Sequence, residues 1–160
     1  ESIEKLKQVI DINKPHVTRT AFDNNEEMYR IEICSPSIIE DLKLWNIIPR
    51  IKDTPKNQLP DIIKNSKEYM KYWISGIIDA DGCISLDKEN RPSLDILASQ
   101  EVINYIKDYT NIDHYTEYPL KKSKQLVFLK YRGRYAIESY KQLENEYCLH
   151  RKWDKIKALI

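Results

Sequence analysis

One stretch constrains this chain more than any other. Ile74-Ser75-Gly76-Ile77-Ile78-Asp79-Ala80-Asp81-Gly82 is an apolar run that ends abruptly in two carboxylates and a glycine. Tyr69, Met70, Trp73, Ile74, Ile77 and Ile78 recur at i, i+3 and i+4, which predicts a buried helix. Ser75, Gly76 and Ala80 would form a strip of minimal side-chain bulk along which a second helix backbone can approach. Gly82 is suited to turning the chain out of the helix. Asp81 is the oddity, because the C-terminal end of a helix already disfavours negative charge. A carboxylate in that place calls for a cation beside it.

The remaining composition narrows the class. A chain of 160 residues suits one domain or two small halves. With 26 basic and 25 acidic residues, any affinity for nucleic acid must come from charge gathered on one face. Charged residues make up 32% and glycine only 3 positions, which excludes disordered and fibrous classes. No apolar run approaches the roughly 20 residues that span a bilayer, so no membrane partner is expected. Cys34, Cys83 and Cys148 have no metal-ligand spacing and fit reduced thiols. With no secretory leader at Glu1, the expected location is intracellular: microbial or phage-host cytoplasm, or an organelle.

An order of elements repeats. Ser2 to Ile12 has helical spacing, Val17 to Phe22 and Tyr29 to Cys34 read as strands about an Asn24-Asn25 turn, and Pro36 to Trp45 reads as a helix with Ser35 as N-cap. Glu101 to Tyr109 is again helical, Tyr115 to Lys121 and Gln125 to Lys130 form a hairpin, and Arg134 to Leu143 closes as a helix. This second copy is preceded by the acid-tipped helix and by two strands, Cys83 to Asp87 and Ser93 to Ala98. The first copy has nothing equivalent in front, which points to a truncated half at residues 1–65, including a proline-bearing linker, and a complete half at 66–160. The tail from Tyr147 to Ile160 reads as a last helix. The fold class is α+β with a pseudo-twofold αββαββα repeat.

Residues Ile74 to Gly82, with Ile for Leu and Ser for Ala, resemble the motif of the LAGLIDADG homing endonucleases, and the order of elements to Leu143 agrees with that family. The resemblance implies antiparallel strands forming a saddle in the DNA major groove, and two motif helices packed at its centre. It implies a site-specific endonuclease that cuts double-stranded DNA with Mg²⁺, for which Mn²⁺ substitutes and Ca²⁺ binds without cleavage. By motif alignment Asp81 is the metal-binding carboxylate, with the Ala80 carbonyl beside it, while Asp79, Gly76 and Gly82 support the helix. Gln100 and Lys130 match catalytic positions near solvent and the cleaved phosphate. Since one motif is present, the second helix must come from a homodimer mate or from a missing or split N-terminal segment. Relatives of this fold also serve as RNA-intron maturases or transcriptional regulators, so a DNA- or RNA-binding module without cleavage is the alternative.

Strand parity identifies the side that would face DNA. With Ile84 and Leu86 packed under the sheet, Cys83, Ser85 and Asp87 face outward, and on the next strand Ser93, Asp95 and Leu97 do. Small polar and acidic side chains read base edges. Phosphate contact falls to Lys88, Arg91, Lys121, Lys122, Lys124, Arg132 and Arg134, with His16, Arg19 and Arg30 as weaker candidates. Competing readings are a plain helix stop for Asp79 to Gly82, a solvated hairpin tip for the lysine run, and an edge-strand charge for Lys130. A calcium loop is disfavoured because Ile84 stands where such a loop needs glycine. Trp45, Trp73 and Trp153 read as core residues.

Overall fold

The acid-tipped helix forms as its spacing predicts, over Lys67–Asp81. In a computed structural model, the backbone of residues 16–23 and 26–33 and the full atoms of 35–44, 59–120 and 126–160 are described. The chain divides into two units, Glu1–Ile62 and Ile63–Ile160.

In the first unit, strands β1 (His16–Asp23) and β2 (Glu26–Ile33) pair antiparallel, with Arg19 opposite Arg30. Helix α1 (Pro36–Leu44) follows. Its first turn is closed by the Ser35 carbonyl, which accepts from the Ile39 amide at 3.2 Å. It buries none of its own residues, and Ile39, Leu42 and Leu44 are exposed. The helix expected over Ser2 to Ile12, the linker residues 47–58, Cys34 and Trp45 lie outside the described residues.

The second unit opens, after a single helical turn α2 (Asp61–Lys64), with helix α3 (Lys67–Asp81). Ser66 caps it, its hydroxyl accepting from the Tyr69 amide at 3.2 Å. Met70, Ile74 and Ile78, one turn apart, form its buried stripe, together with Ser75. Ser75 therefore does not belong to the small-residue strip expected of it. It falls one turn from Ile78 on the inner side and accepts a hydrogen bond from Asn145 Nδ2 at 2.8 Å. Gly76 and Ala80, on the other side, are exposed.

Gly82 ends α3 for a reason other than the expected one. Its backbone is extended (φ −78°, ψ 157°), a conformation open to any residue. What requires glycine is closeness: a Cβ here would stand 2.7 Å from the Ile78 carbonyl oxygen and 2.8 Å from its Cα.

The chain then runs as strand β3 (Cys83–Leu86), strand β4 (Pro92–Ser99), helix α4 (Gln100–Thr110), strand β5 (Thr116–Pro119), strand β6 (Leu126–Arg132) and helix α5 (Arg134–Leu143), and closes with helix α6 (His150–Lys157). The strands form one antiparallel sheet in the order β3-β4-β6-β5. An α+β arrangement results, with α3, α4 and α5 contacting β4 and α6 lying along the edge strand β3. Inward positions alternate as parity requires: Ile84, Leu94, Ile96, Val127, Leu129 and Tyr131 are buried. The one buried phenol among them is satisfied, Tyr131 Oη lying 2.9 Å from Thr110 Oγ1. Leu86, expected beneath the sheet, is the last residue of β3 and is instead 39% exposed, whereas Ile84 is buried. Gly133, at φ +56°, makes the left-handed step from β6 into α5.

Candidate functional site

Asp79 and Asp81 stand two positions apart, about 200° around a helix, and they meet opposite environments. Asp79 is half-buried. Its carboxylate accepts from the Trp153 indole Nε1 at 2.6 Å and from the Leu149 amide at 3.2 and 3.3 Å. Asp81, the last residue of α3, is exposed, and so is Ala80. A side-chain cation sits on the carbonyls of this helix end. Lys152 Nζ donates to the carbonyls of Asp79 at 2.6 Å, Gly82 at 2.7 Å and Ile78 at 3.0 Å. Burial, reinforced by neighbouring Arg151, draws this ammonium below its usual range, while Asp79 and Asp81 act the other way. One turn further along α6, Lys155 Nζ donates to the Ile84 carbonyl at 3.0 Å. Neither Lys152 nor Lys155 stands out in the sequence, where Arg151-Lys152-Trp153 reads only as part of a tail helix.

No group of three or more His, Cys, Asp and Glu side chains disposed to hold a metal occurs among the described residues. Asp81 and the Ala80 carbonyl offer hard oxygen donors at an exposed helix end. That suits Mg²⁺, which takes one or two carboxylates and completes its shell with phosphate and water.

Beside that helix end lies the outer face of the sheet. Register places Cys83, Asp95, Lys130 and Thr116 in one row across all four strands, and Ser85, Ser93 and Arg132 in the next. Leu97, Phe128 and Tyr118 form a third row, in which the rings of Phe128 and Tyr118 stack at 5.2 Å. A concavity of about 410 Å³ lies at one end of this face, lined by Ser85, Asp87, Arg91, Ser93, Lys130 and Arg132 among others.

Several expected roles take a different form here. Lys130 Nζ bonds Asp95 Oδ2 at 2.6 Å, and Ser93 Oγ donates to Asp95 Oδ1 at 2.6 Å. Asp95 is thus held by its neighbours, and Lys130 by Asp95. Asp87 organises the β3–β4 turn: its Oδ1 accepts from the Glu89 and Arg91 amides, both at 2.9 Å, and its Oδ2 from Arg91 Nε at 2.8 Å. Those bonds and the Arg91 guanidinium hold the Asp87 carboxyl below its ordinary range. Arg91 also pairs with Glu89 at 3.0 Å. Lys88 and Arg132 are exposed. Arg134 lies over the Tyr135 ring, 4.7 Å from its centroid, and that ring also stacks with His114 at 4.7 Å. Lys121, Lys122 and Lys124 lie outside the described residues, in the segment joining β5 to β6.

Gln100 is not brought to this face. It begins α4, and its Nε2 donates to Glu117 Oε1 at 2.8 Å and to Asn104 Oδ1 at 3.1 Å. Glu117 follows the outward Thr116 and so points to the helix-bearing side, where Lys107 pairs with it at 2.8 Å. Lys107 and Gln100 hold the Glu117 carboxyl below its usual range. Of the thiols, Cys83 is exposed at the start of β3, whereas Cys148 is buried, and burial pushes its thiol up to about 11. Trp153 is buried and Trp73 half-buried. Among the described residues no helix is long and apolar enough to cross a membrane.

No family model matches the chain, and no curated protein does. Among solved structures, the chain is similar to the homing endonuclease I-CvuI in complex with its target in the presence of 2 mM Ca, at 18% identity and a TM-score of 0.45. It is also similar to the same endonuclease in complex with the I-CreI target in the presence of 2 mM Mg, with the DNA not cleaved, at 17% identity and a TM-score of 0.42. Each match covers 58% of this chain and 64% of the other, less than two thirds of that protein's length.

Proposed function

We propose that this chain is part of a site-specific endonuclease of the LAGLIDADG type, hydrolysing phosphodiester bonds in double-stranded DNA with a divalent metal. The observation that carries the reading is the pairing of an exposed Asp81 with an exposed, side-chain-poor strip at the end of one helix. A Cβ at Gly76 would meet nothing within 4 Å, so a second helix backbone has room to approach there. That partner would come from a second copy or from a separate N-terminal segment, and would bring its own carboxylate.

Asp81 and the Ala80 carbonyl would hold Mg²⁺ or Mn²⁺, with Ca²⁺ binding but not supporting cleavage. The chemistry supplied at those two donors would be water activation and neutralisation of charge developing on the phosphate. The chain's own residues supply the setting. Lys88, Arg132 and Arg134 would supply positive charge for the DNA backbone, while Ser85 and Ser93 would face base edges; Lys121, Lys122 and Lys124 are phosphate-contact candidates from the sequence alone. Lys130 would reach a phosphate by exchanging Asp95 for it, which frees Asp95 to accept from a base. Gln100 supports β5 through Glu117 from the helix-bearing side and acts at a distance from DNA.

The test is to present a randomised duplex library to the chain with Mg²⁺, Mn²⁺ or EDTA. Metal-dependent cut ends at a recurrent sequence are expected, with weak cutting by a lone chain and more at concentrations that favour pairing. Recurrent binding with no cut ends under any metal would replace the proposal with a binding module of the same architecture.

A further inference from the structure

We infer that Lys152 is a positioning residue for the metal-holding end of α3, fastening the helix so that Asp81 and the Ala80 carbonyl are presented together. The inference rests on the proposed role of Asp81. A lysine 71 positions downstream of Asp81 would not ordinarily belong to its site, yet three carbonyls of that helix end converge on its ammonium at 2.6 to 3.0 Å. Two of them, from Asp79 and Gly82, flank Ala80 and Asp81 directly along the chain. The same α6 segment holds Asp79 through Trp153 and Leu149. The backbone is thus fixed on both sides of the two donor residues, and those two are left outward.

The chemistry makes this more than ordinary helix capping. The last carbonyls of a helix carry partial negative charge; here Ile78 O already accepts from the Gly82 amide at 3.0 Å, Asp79 O lies in the last turn, and Gly82 O lies just past the helix end. An ammonium with three N–H groups satisfies them as a fixed point charge. A metal ligand held by such outer contacts binds with less ordering left to do, and loss of comparable contacts typically weakens metal binding about 10- to 100-fold. Electrostatics alone runs the other way. A positive charge beside Asp81 repels a divalent ion, so deleting it without disturbing geometry would tighten binding. The sign of the effect therefore separates positioning from counter-charge.

The experiment titrates Mn²⁺ into the full chain and follows paramagnetic broadening of the Asp81 carboxyl carbon by NMR, in wild type, Lys152→Met, Lys152→Arg and Lys155→Met. Lys155 is the control, because it extends from the same helix α6 but caps a carbonyl beyond the metal end. Lys152→Met is expected to raise the Mn²⁺ concentration for half-broadening by about tenfold or more. Lys152→Arg keeps the charge but has a planar fork that does not converge on three carbonyls, and is expected to lose roughly three- to tenfold. Lys155→Met should stay within about twofold of wild type on the same scale. Unchanged or tighter binding in Lys152→Met overturns the inference, as does an equal loss in Lys155→Met. If Lys152→Met does not fold, Lys152→Arg against Lys155→Met decides alone. Failure of Mn²⁺ to reach Asp81 in wild type at concentrations that favour pairing, both without DNA and with a randomised duplex library present, sinks the parent proposal instead, and this inference with it.

Discussion

The two ends of helix α3 are held by different means. At the N-terminal end Ser66 caps the turn it begins, three residues from the amide it serves. At the C-terminal end the work is done from about seventy positions away, by Lys152, Trp153 and Leu149 acting on carbonyls and on Asp79. The local end needs only its own sequence to form. The distant end exists only once α6 has docked on β3, and it is the end that carries the candidate chemistry. Packing, not helix propensity, therefore decides how Asp81 is presented.

Substitutions at the two ends should differ accordingly. The largest loss is expected for Trp153→Ala, which removes a 2%-exposed indole and the donor to Asp79, at about 3–5 kcal/mol by urea denaturation. Next comes Gly82→Ala, where the new Cβ meets the Ile78 backbone and costs about 1–3 kcal/mol in the same assay. Ser66→Ala, at the locally capped end, should cost only about 1 kcal/mol. Equal losses for Ser66→Ala and Trp153→Ala would erase the distinction between the ends. Gly76→Ala should have the smallest effect, and of opposite sign. In open space on the helix surface it is expected to stabilise a lone chain by up to about 1 kcal/mol. The same methyl should weaken concentration-dependent pairing in sedimentation velocity, if the strip receives a second helix.

The contrast between local and distant contacts also explains what was legible in the sequence. Helix α3, the four strands and their inward residues follow from apolar spacing, which is a local signal. Ile84 and Leu94 were assignable by parity, whereas Leu86 failed because alternation does not show where burial stops. Gly82 was assigned to the right place for a wrong reason, since its need arises from proximity to Ile78 and not from its dihedral angles. Asp81 at a helix C-terminus signalled that a cation was required. That Lys152 serves the neighbouring carbonyls could not be read, because it is one of many lysines until the fold brings it there. For the same reason, Asp95 was expected to be available to a base edge, although Lys130 stands directly opposite it across β4 and β6. Asp87 was assigned by strand parity and Gln100 by the family resemblance. Neither signal shows the partners they meet here, the Glu89 and Arg91 amides for Asp87 and Glu117 for Gln100.

The most direct test of the central claim sets the two carboxylates against each other, as Asp79→Asn and Asp81→Asn in parallel. Each variant is measured for thermal stability, duplex binding and metal-dependent cleavage. Asp79→Asn is expected to lower the melting temperature, while the folded fraction still cuts. Asp81→Asn is expected to melt and bind DNA as wild type does, with cleavage abolished. An Asp81→Asn variant that cuts as well as wild type would contradict the account at its root.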